Sequence, residues 1–472
     1  MPDRIGLTDA RIPPWRRAWA VAWPVALQQG LGLAVGLSAR WIAGHAAAAS
    51  AGEQLAMQAA QTTCFYLSWM VGTLGILATV GVSAIVSREL GGGDEAGPAQ
   101  AVHQGLLIAL VAGVCGVAVG CGGLADLIGA LQLDGAVGRL AREYLGVTFA
   151  LLPIQLLGAT AVAALAAAGD TGTPLRIALG TTVVNVPLAW IGFHGLAGWP
   201  GLGFVGMAWG TGIAQASGTL AILWCLARGR AGLRLSLEGF RPRGRVIARI
   251  LRISLPATLE SLAMVAGQIL FLAAVNGLGD AARAGHGIAL GWEAVAETLG
   301  LACAVAAAPL VGQNLGAGRP DEARRCGLAV LGLAAAGMSL IGVLLHVLAV
   351  PLFALYCPGE AQRPILAAGV PVLRLAAFSM PALAACHVLG AALRGAGDTR
   401  FPLLAVWVGF FLVRLPLTWW LSRSVVSGPW GDLAGCGWGL YGCWMAMQMD
   451  LWLRSGLLLG RFLGGRWQKV RV

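Results

Sequence analysis

Three glutamates are the residues of this chain best placed to handle a charge inside an apolar environment. Glu293 and Glu297 stand four apart in GIALGWEAVAETLG (287–300), so a helix carries both carboxyls on one face. Two carboxyls that close cannot both be charged cheaply where the dielectric is low, so the pair is expected to hold a proton or a cation. Glu260 follows Pro256 by four residues in another apolar stretch. Ionisable side chains at membrane depth are costly and are functional candidates by default. Glu260, Glu293 and Glu297 are therefore the candidate cation or proton site. The structural alternative is that some of them pair with Arg414 or cap polar backbone. Asp450 and Arg454, one helical turn apart, are expected to neutralise each other. Arg414 is expected to hold a carboxylate or to line a substrate cleft, for which Gln28, Arg40, Gln61, His286 and His387 are the other candidates. The two histidines could relay protons or be packed and hydrogen-bonded.

Catalytic sets are missing from the sequence. There is no H-E-x-x-H and no G-x-S-x-G, and Lys469 is the only lysine, so a Walker A phosphate loop and an ATP-driven pump are excluded. The ten cysteines are scattered without a C-x-x-C pair, which argues for small packing residues rather than a zinc site or a disulfide framework. Neither cofactor nor metal is expected beyond a coupling H+ or Na+.

The elements that must position these residues are membrane helices. Of 472 residues, 58% are hydrophobic and 11% charged, with a mean hydropathy of +0.76. A soluble chain carries about 25% charged residues, so this one is an integral membrane protein. Apolar runs of bilayer length predict twelve helices, at roughly 17–43, 55–86, 101–130, 138–167, 173–194, 203–227, 248–276, 284–311, 324–356, 365–393, 401–422 and 435–461. Polar or Gly/Pro-rich breaks separate them, among them GGGDEAGP (91–98), GLAGWPGLG (195–203), GAGRPDEARR (316–325) and SGPWGDLAGCG (427–437). The first apolar segment runs past Ala34 without a small-residue cleavage site, as a first transmembrane helix does rather than a signal peptide.

Charge placement orients the helices. Arg88, Arg176, Arg319, Arg324, Arg325, Arg394, Arg400, the stretch from Arg228 to Arg252 and the tail with Arg461, Arg466, Lys469 and Arg471 fall on one side. Only Arg139, Arg142, Arg283, Arg363 and Arg423 fall on the other. Positive loops stay inside, so both termini are expected in the cytoplasm of a cell with this protein in its inner membrane. The net charge of +11 is then topology and does not call for a nucleic-acid partner.

The chain also repeats itself. LAAAGDTGTPL (165–175) pairs with LRGAGDTRFPL (393–403), Pro153 with Pro381, and NVPLAW (185–190) with RLPLTW (414–419). SRELGGGD (87–94) pairs with GQNLGAGR (312–319), and WPVALQQ (23–29) with LPATLES (255–261), which sets Gln28 opposite Glu260. Each half is one six-helix copy: residues 1–228, then a basic cytoplasmic linker over 229–247, then 248–472. An even count starts both copies on the same side, so the axis relating them runs along the membrane normal. Two such bundles are expected to enclose a central cleft and rock around it. In the repeated motif, Gly169 and Gly397 permit a tight turn, Asp170 and Asp398 can cap the next helix, and Pro174 and Pro402 open it.

These motifs carry a family resemblance. LRGAGDTRFPLL (393–404), LVGQNLGAGRPDEARR (310–325), AGHGIAL (284–290), RLPLTWWL (414–421) and MDLWLRSGLLLGRF (449–462) are similar to the multidrug and toxic compound extrusion (MATE) family, in order and spacing over nearly the whole chain. The resemblance implies an all-α polytopic fold of twelve transmembrane helices in two pseudo-symmetric six-helix lobes. It implies a secondary active exporter, acting as a monomer in the lipid bilayer, that exchanges organic cations or other amphipathic small molecules for H+ or Na+. Two departures matter. Where bacterial members carry an acid in a V-D-x-x-F-V-G-like stretch, SARWIAGH (38–45) has Ala39 with Arg40 beside it, and residues 375–393 hold no aspartate. Coupling is therefore expected from the second-half glutamates. Arg40 either favours an anionic or zwitterionic substrate or snorkels to headgroups. The alternative activity is a flippase for a lipid-linked or anionic substrate.

Overall fold

The computed structural model describes residues 6–44, 57, 60, 61, 64, 67, 68, 70–94, 96–130, 135–196, 198–428 and 431–470. Twelve helical crossings account for nearly all of these residues. They are α1 Pro14–Gly44, α2 Ile76–Gly91 (with the 3-10 turn Thr73–Gly75 leading into it), α3 Gly97–Ala130, α4 in two parts Gly135–Ala150 and Leu152–Ala167, α5 Gly172–His194 and α6 Gly203–Ala227. The second half follows with α7 Gly244–Asn276, α8 Asp280–Gly316, α9 Pro320–Val347, α10 in two parts Arg363–Ala377 and Met380–Gly395, α11 Arg400–Ser422 and α12 Gly439–Leu463. By length and composition, nine of the described helices can cross a membrane, or eleven with the two bent pairs each counted as one span. The twelfth is α12, 25 residues long, in which Asp450, Arg454 and Arg461 interrupt the apolar run. Most of the expected start of the second helix, 55–69, lies outside the described residues. Between α11 and α12 the break forms a small antiparallel hairpin, β1 Val425–Gly428 with β2 Gly431–Ala434.

The repeat seen in the sequence recurs as geometry. α4 bends by 53° and α10 by 55°, each just before the proline of the pair Pro153 and Pro381. A proline ring lacks the N–H and crowds the preceding turn, which is why both helices break there. At the other end of these helices Gly169 and Gly397 take φ of 85° and 89°, a left-handed conformation that closes a helix C-terminus without a Cβ penalty. The N–H groups of Asp170 and Asp398 then reach back to the carbonyls of Leu165 and Leu393, both at 2.9 Å.

By contacts the chain forms two compact units, one chiefly Trp23–Thr258, the other Leu7–Ala22 with Leu259–Val472. The stretch 229–247, expected as a linker, falls within the first unit. It is tied down as a strap. Gln104 donates to the Gly239 and Arg241 carbonyls at 3.0 Å and accepts from the Arg243 N–H at 2.9 Å, and His103 Nε2 accepts from the Ser236 N–H at 2.8 Å. The opening turns of α7 also pack into the first unit, through an Arg249–Glu89 ion pair at 2.5 Å and a Gly81 N–H to Ser254 Oγ bond at 2.8 Å. At the repeat-equivalent place in the second unit, buried Arg17 pairs with Glu322 and donates to the Leu7 carbonyl at 2.9 Å.

In the first unit α5 and α6 approach backbone to backbone. A Cβ on Gly206 would overlap the Gly192 carbonyl, and one on Gly210 would sit 2.5 Å from the Leu188 carbonyl oxygen. Small residues at such crossings permit the packing that joins helices in a membrane. Gly206→Ala must push the helices apart, and we expect it to cost about 1–3 kcal/mol, read as a lower melting temperature of the purified protein. An unchanged melting point would show the crossing to be loose.

Candidate functional site

In the second unit the structure resolves the three glutamates into three different situations. Glu260 on α7 is held: Arg394, at the end of α10, donates from Nη1 to its Oε1 at 2.8 Å. Its Oε2 is buried without a hydrogen-bond partner. Glu297 on α8 faces His387 on α10, with Nε2 and Oε1 3.5 Å apart, in ion-pair rather than hydrogen-bond range, and its side chain is 44% exposed. Glu293, one turn earlier, is 6% exposed and makes neither a hydrogen bond nor an ion pair with any described residue. It is close enough to feel the charges of Glu297 and Arg414. No hydrogen bond or ion pair joins Glu260 to the other two, so the expected single cluster becomes a pair on α8 with a separate, arginine-held acid on α7.

Arg414 does not serve the glutamates as an ion-pair partner. It donates from Nε and Nη2 to Asp450 Oδ2 at 2.8 and 2.6 Å, while Arg454 donates to both Asp450 oxygens at 2.7 and 2.9 Å. Asp450 is fully buried and Arg414 is 4% exposed. The expected Asp450–Arg454 neutralisation is thus a three-membered cluster, and Arg414 takes its carboxylate-holding role. Phe410 lies under both guanidiniums, with Arg414 4.1 Å and Arg454 5.0 Å from its ring centre. The π-helical stretch Val408–Arg414 of α11 brings Gly409 against Asp450, where a Cβ would overlap Oδ1.

Of the cleft candidates, His286 is packed. Trp444 Nε1 donates to its Nδ1 at 3.1 Å, and Phe271 and Trp444 meet it edge-on. Because the indole only donates, Nδ1 is the acceptor and the ring proton sits on Nε2. Nε2 itself has no hydrogen-bond partner. In the first unit Gln28 is half-buried on α1, and Gln61 keeps a buried, unpartnered Oε1. Arg40 falls within α1, but its side chain lies outside the described residues. The motif aspartates do more than cap. Asp170 accepts from the Thr173 N–H at 2.9 Å and from Arg230 at 2.7 Å, and Asp398 accepts from Arg461 at 2.8 Å. Both clamp the turn to an arginine from the end of their own half.

Two residues escaped the sequence reading. Gln448 on α12 is 5% exposed with both amide atoms unpartnered, and Gln268 on α7 accepts weakly from Arg414 at 3.5 Å. The signal was present in each, a lone amide in an apolar helix. Among the described residues no three His, Cys, Asp or Glu side chains converge as a metal cage.

The MatE family model matches residues 25–191 and 256–420, once in each half. A probable multidrug resistance protein NorM of Burkholderia pseudomallei is 32% identical over 383 residues, 78% of this chain and 80% of its own length. A protein of the same name from Thermotoga maritima is 25% identical over 413 residues, 86% of this chain and 84% of its own. Among solved structures, a MOP superfamily transporter from Pyrococcus furiosus superposes with a TM-score of 0.88 at 19% identity, covering 100% of both chains, a likeness of fold.

Proposed function

The chain belongs to the MatE family, and from that membership we propose that this multi-pass membrane transporter exports organic cations or other amphipathic small molecules in exchange for H+ or Na+. It works by alternating access, without a cofactor. The printed names of the NorM relatives support a multidrug substrate range. The arginine asymmetry of the loops supports placement in the inner membrane with both termini cytoplasmic.

One observation carries the coupling: among the described residues, Glu293 is the buried acid of the second unit that no arginine holds. Glu260 and Asp450 are neutralised by resident guanidiniums, so binding a cation there requires breaking an ion pair. An unpaired buried carboxyl beside a second acid can instead exchange a proton or cation at each turnover. Glu297, one turn on, is the more exposed acid of the pair and faces His387.

A flippase for a lipid-linked or anionic substrate would need arginines free to meet the cargo. Among the described residues around the second unit's acids, Arg394, Arg414 and Arg454 each already hold a carboxylate, which favours a cationic substrate there. The test is ethidium efflux from proteoliposomes under an imposed pH or Na+ gradient. Movement that follows one gradient identifies the coupling ion. Dye that stays put under both gradients would sink the exporter reading.

A further inference from the structure

A second polar site lies in the first unit, beside the Asp170–Arg230 clamp, and stands independently of the exporter reading. Between the start of α5 and the end of α6 is a pocket of about 350 Å³ lined by Thr173, Arg176, Ile177, Trp224, Arg228 and Arg230, with Cys225 between them. Three guanidiniums face it and one carboxylate, Asp170, answers them, already taken by Arg230 at 2.7 Å. Arg176 touches only neutral acceptors, the Gly172 carbonyl and Thr173 Oγ1, both at 3.3 Å. Arg228 lies over the Trp224 ring, 4.0 Å from its centre. Neither has a carboxylate partner among the described residues, so the pocket carries an excess of two positive charges.

The turn that builds it is strained. Gly229, Ala231 and Gly232 take φ of 77°, 56° and 76°, and Ala231 is the sole non-glycine at positive φ among the described residues. Residues with a Cβ rarely adopt that conformation, and where they do the surroundings impose it. Here it swings Arg230 back onto Asp170 and leaves Arg228 facing the pocket. Below the pocket the surface is apolar: Leu220, one turn before Trp224, is 67% exposed, and nothing lies within 4 Å of a Cβ placed on Gly180. Trp224 is 55% exposed, as an interfacial anchor would be.

We propose that this pocket binds a phosphate monoanion, and that an inner-membrane anionic phospholipid supplies it. Arg176 and Arg228 take the phosphate, and the acyl chains run down the Leu220 and Gly180 surface. Basic pockets between helices at a membrane face are suited to such headgroups.

The full-length protein, delipidated in detergent, is titrated with phosphatidylglycerol, phosphatidylcholine or inorganic phosphate, and retained lipid is read by native mass spectrometry. Two arginines predict a preference of about thirtyfold for phosphatidylglycerol over phosphatidylcholine. Arg176→Gln/Arg228→Gln reduces it to under threefold. Arg243→Gln/Arg245→Gln, in the basic strap and outside the pocket lining, leaves it intact. Equal retention of the two lipids, or a preference that survives the first double variant, overturns the proposal. Displacement of the lipid by millimolar phosphate would make this a free-anion site and overturn the lipid assignment.

Discussion

Asp450→Asn destabilises the second unit by about 3–5 kcal/mol, the cost of leaving buried charge without its counter-ion. The carboxylate is fully buried and accepts four short bonds from Arg414 and Arg454, at 2.6 to 2.9 Å. An asparagine offers one oxygen and no charge, so two guanidiniums are left buried against Phe410 with nothing to offset their desolvation. Melting of the purified protein measures the loss. Removing one of the stranded cations as well should return part of it, so Asp450→Asn/Arg454→Met is expected to melt above Asp450→Asn alone. If Asp450→Asn melts with the wild type, the cluster is not what holds α11 and α12 together.

Glu293→Gln lowers gradient-driven dye efflux at least tenfold while the protein melts where it did or slightly higher. The change keeps the shape of the side chain and removes only the group that can exchange a proton or cation. No hydrogen bond or ion pair with a described residue is lost, because Glu293 makes none. The same change at Glu260 is less informative: it strands Arg394 and lowers stability together with any effect on transport. Glu293→Gln with wild-type efflux in both H+ and Na+ gradients would remove Glu293 from the coupling path. Efflux lost under one gradient only would tie the carboxyl to that ion.

The division between what was legible in the sequence and what was not follows the range of the interactions involved. Twelve spans, the repeat that pairs Pro153 with Pro381 and the tight turns at Gly169 and Gly397 were all readable. Each depends on chemistry within a few residues of itself: an apolar run long enough for a bilayer, a ring with no N–H, a residue with no Cβ. The Asp450–Arg454 contact was readable too, since one helical turn fixes it.

Partners from different helices were not readable. A helix presents a side chain every 100°, and a sequence does not say which way the helix is turned or which neighbour it meets. Only the packed helices decided that Arg394 holds Glu260, that Arg414 belongs to Asp450 rather than to Glu293, and that Trp444 occupies His286. The packing of the strap over 229–247 was not readable for the same reason. The His103 and Gln104 contacts that bind it to α3 come from a helix more than a hundred residues away. Glu293 shows the rule most plainly. Its residue type and its spacing from Glu297 were in the sequence, whereas its lack of a partner among the described residues is a property of every other helix in the unit.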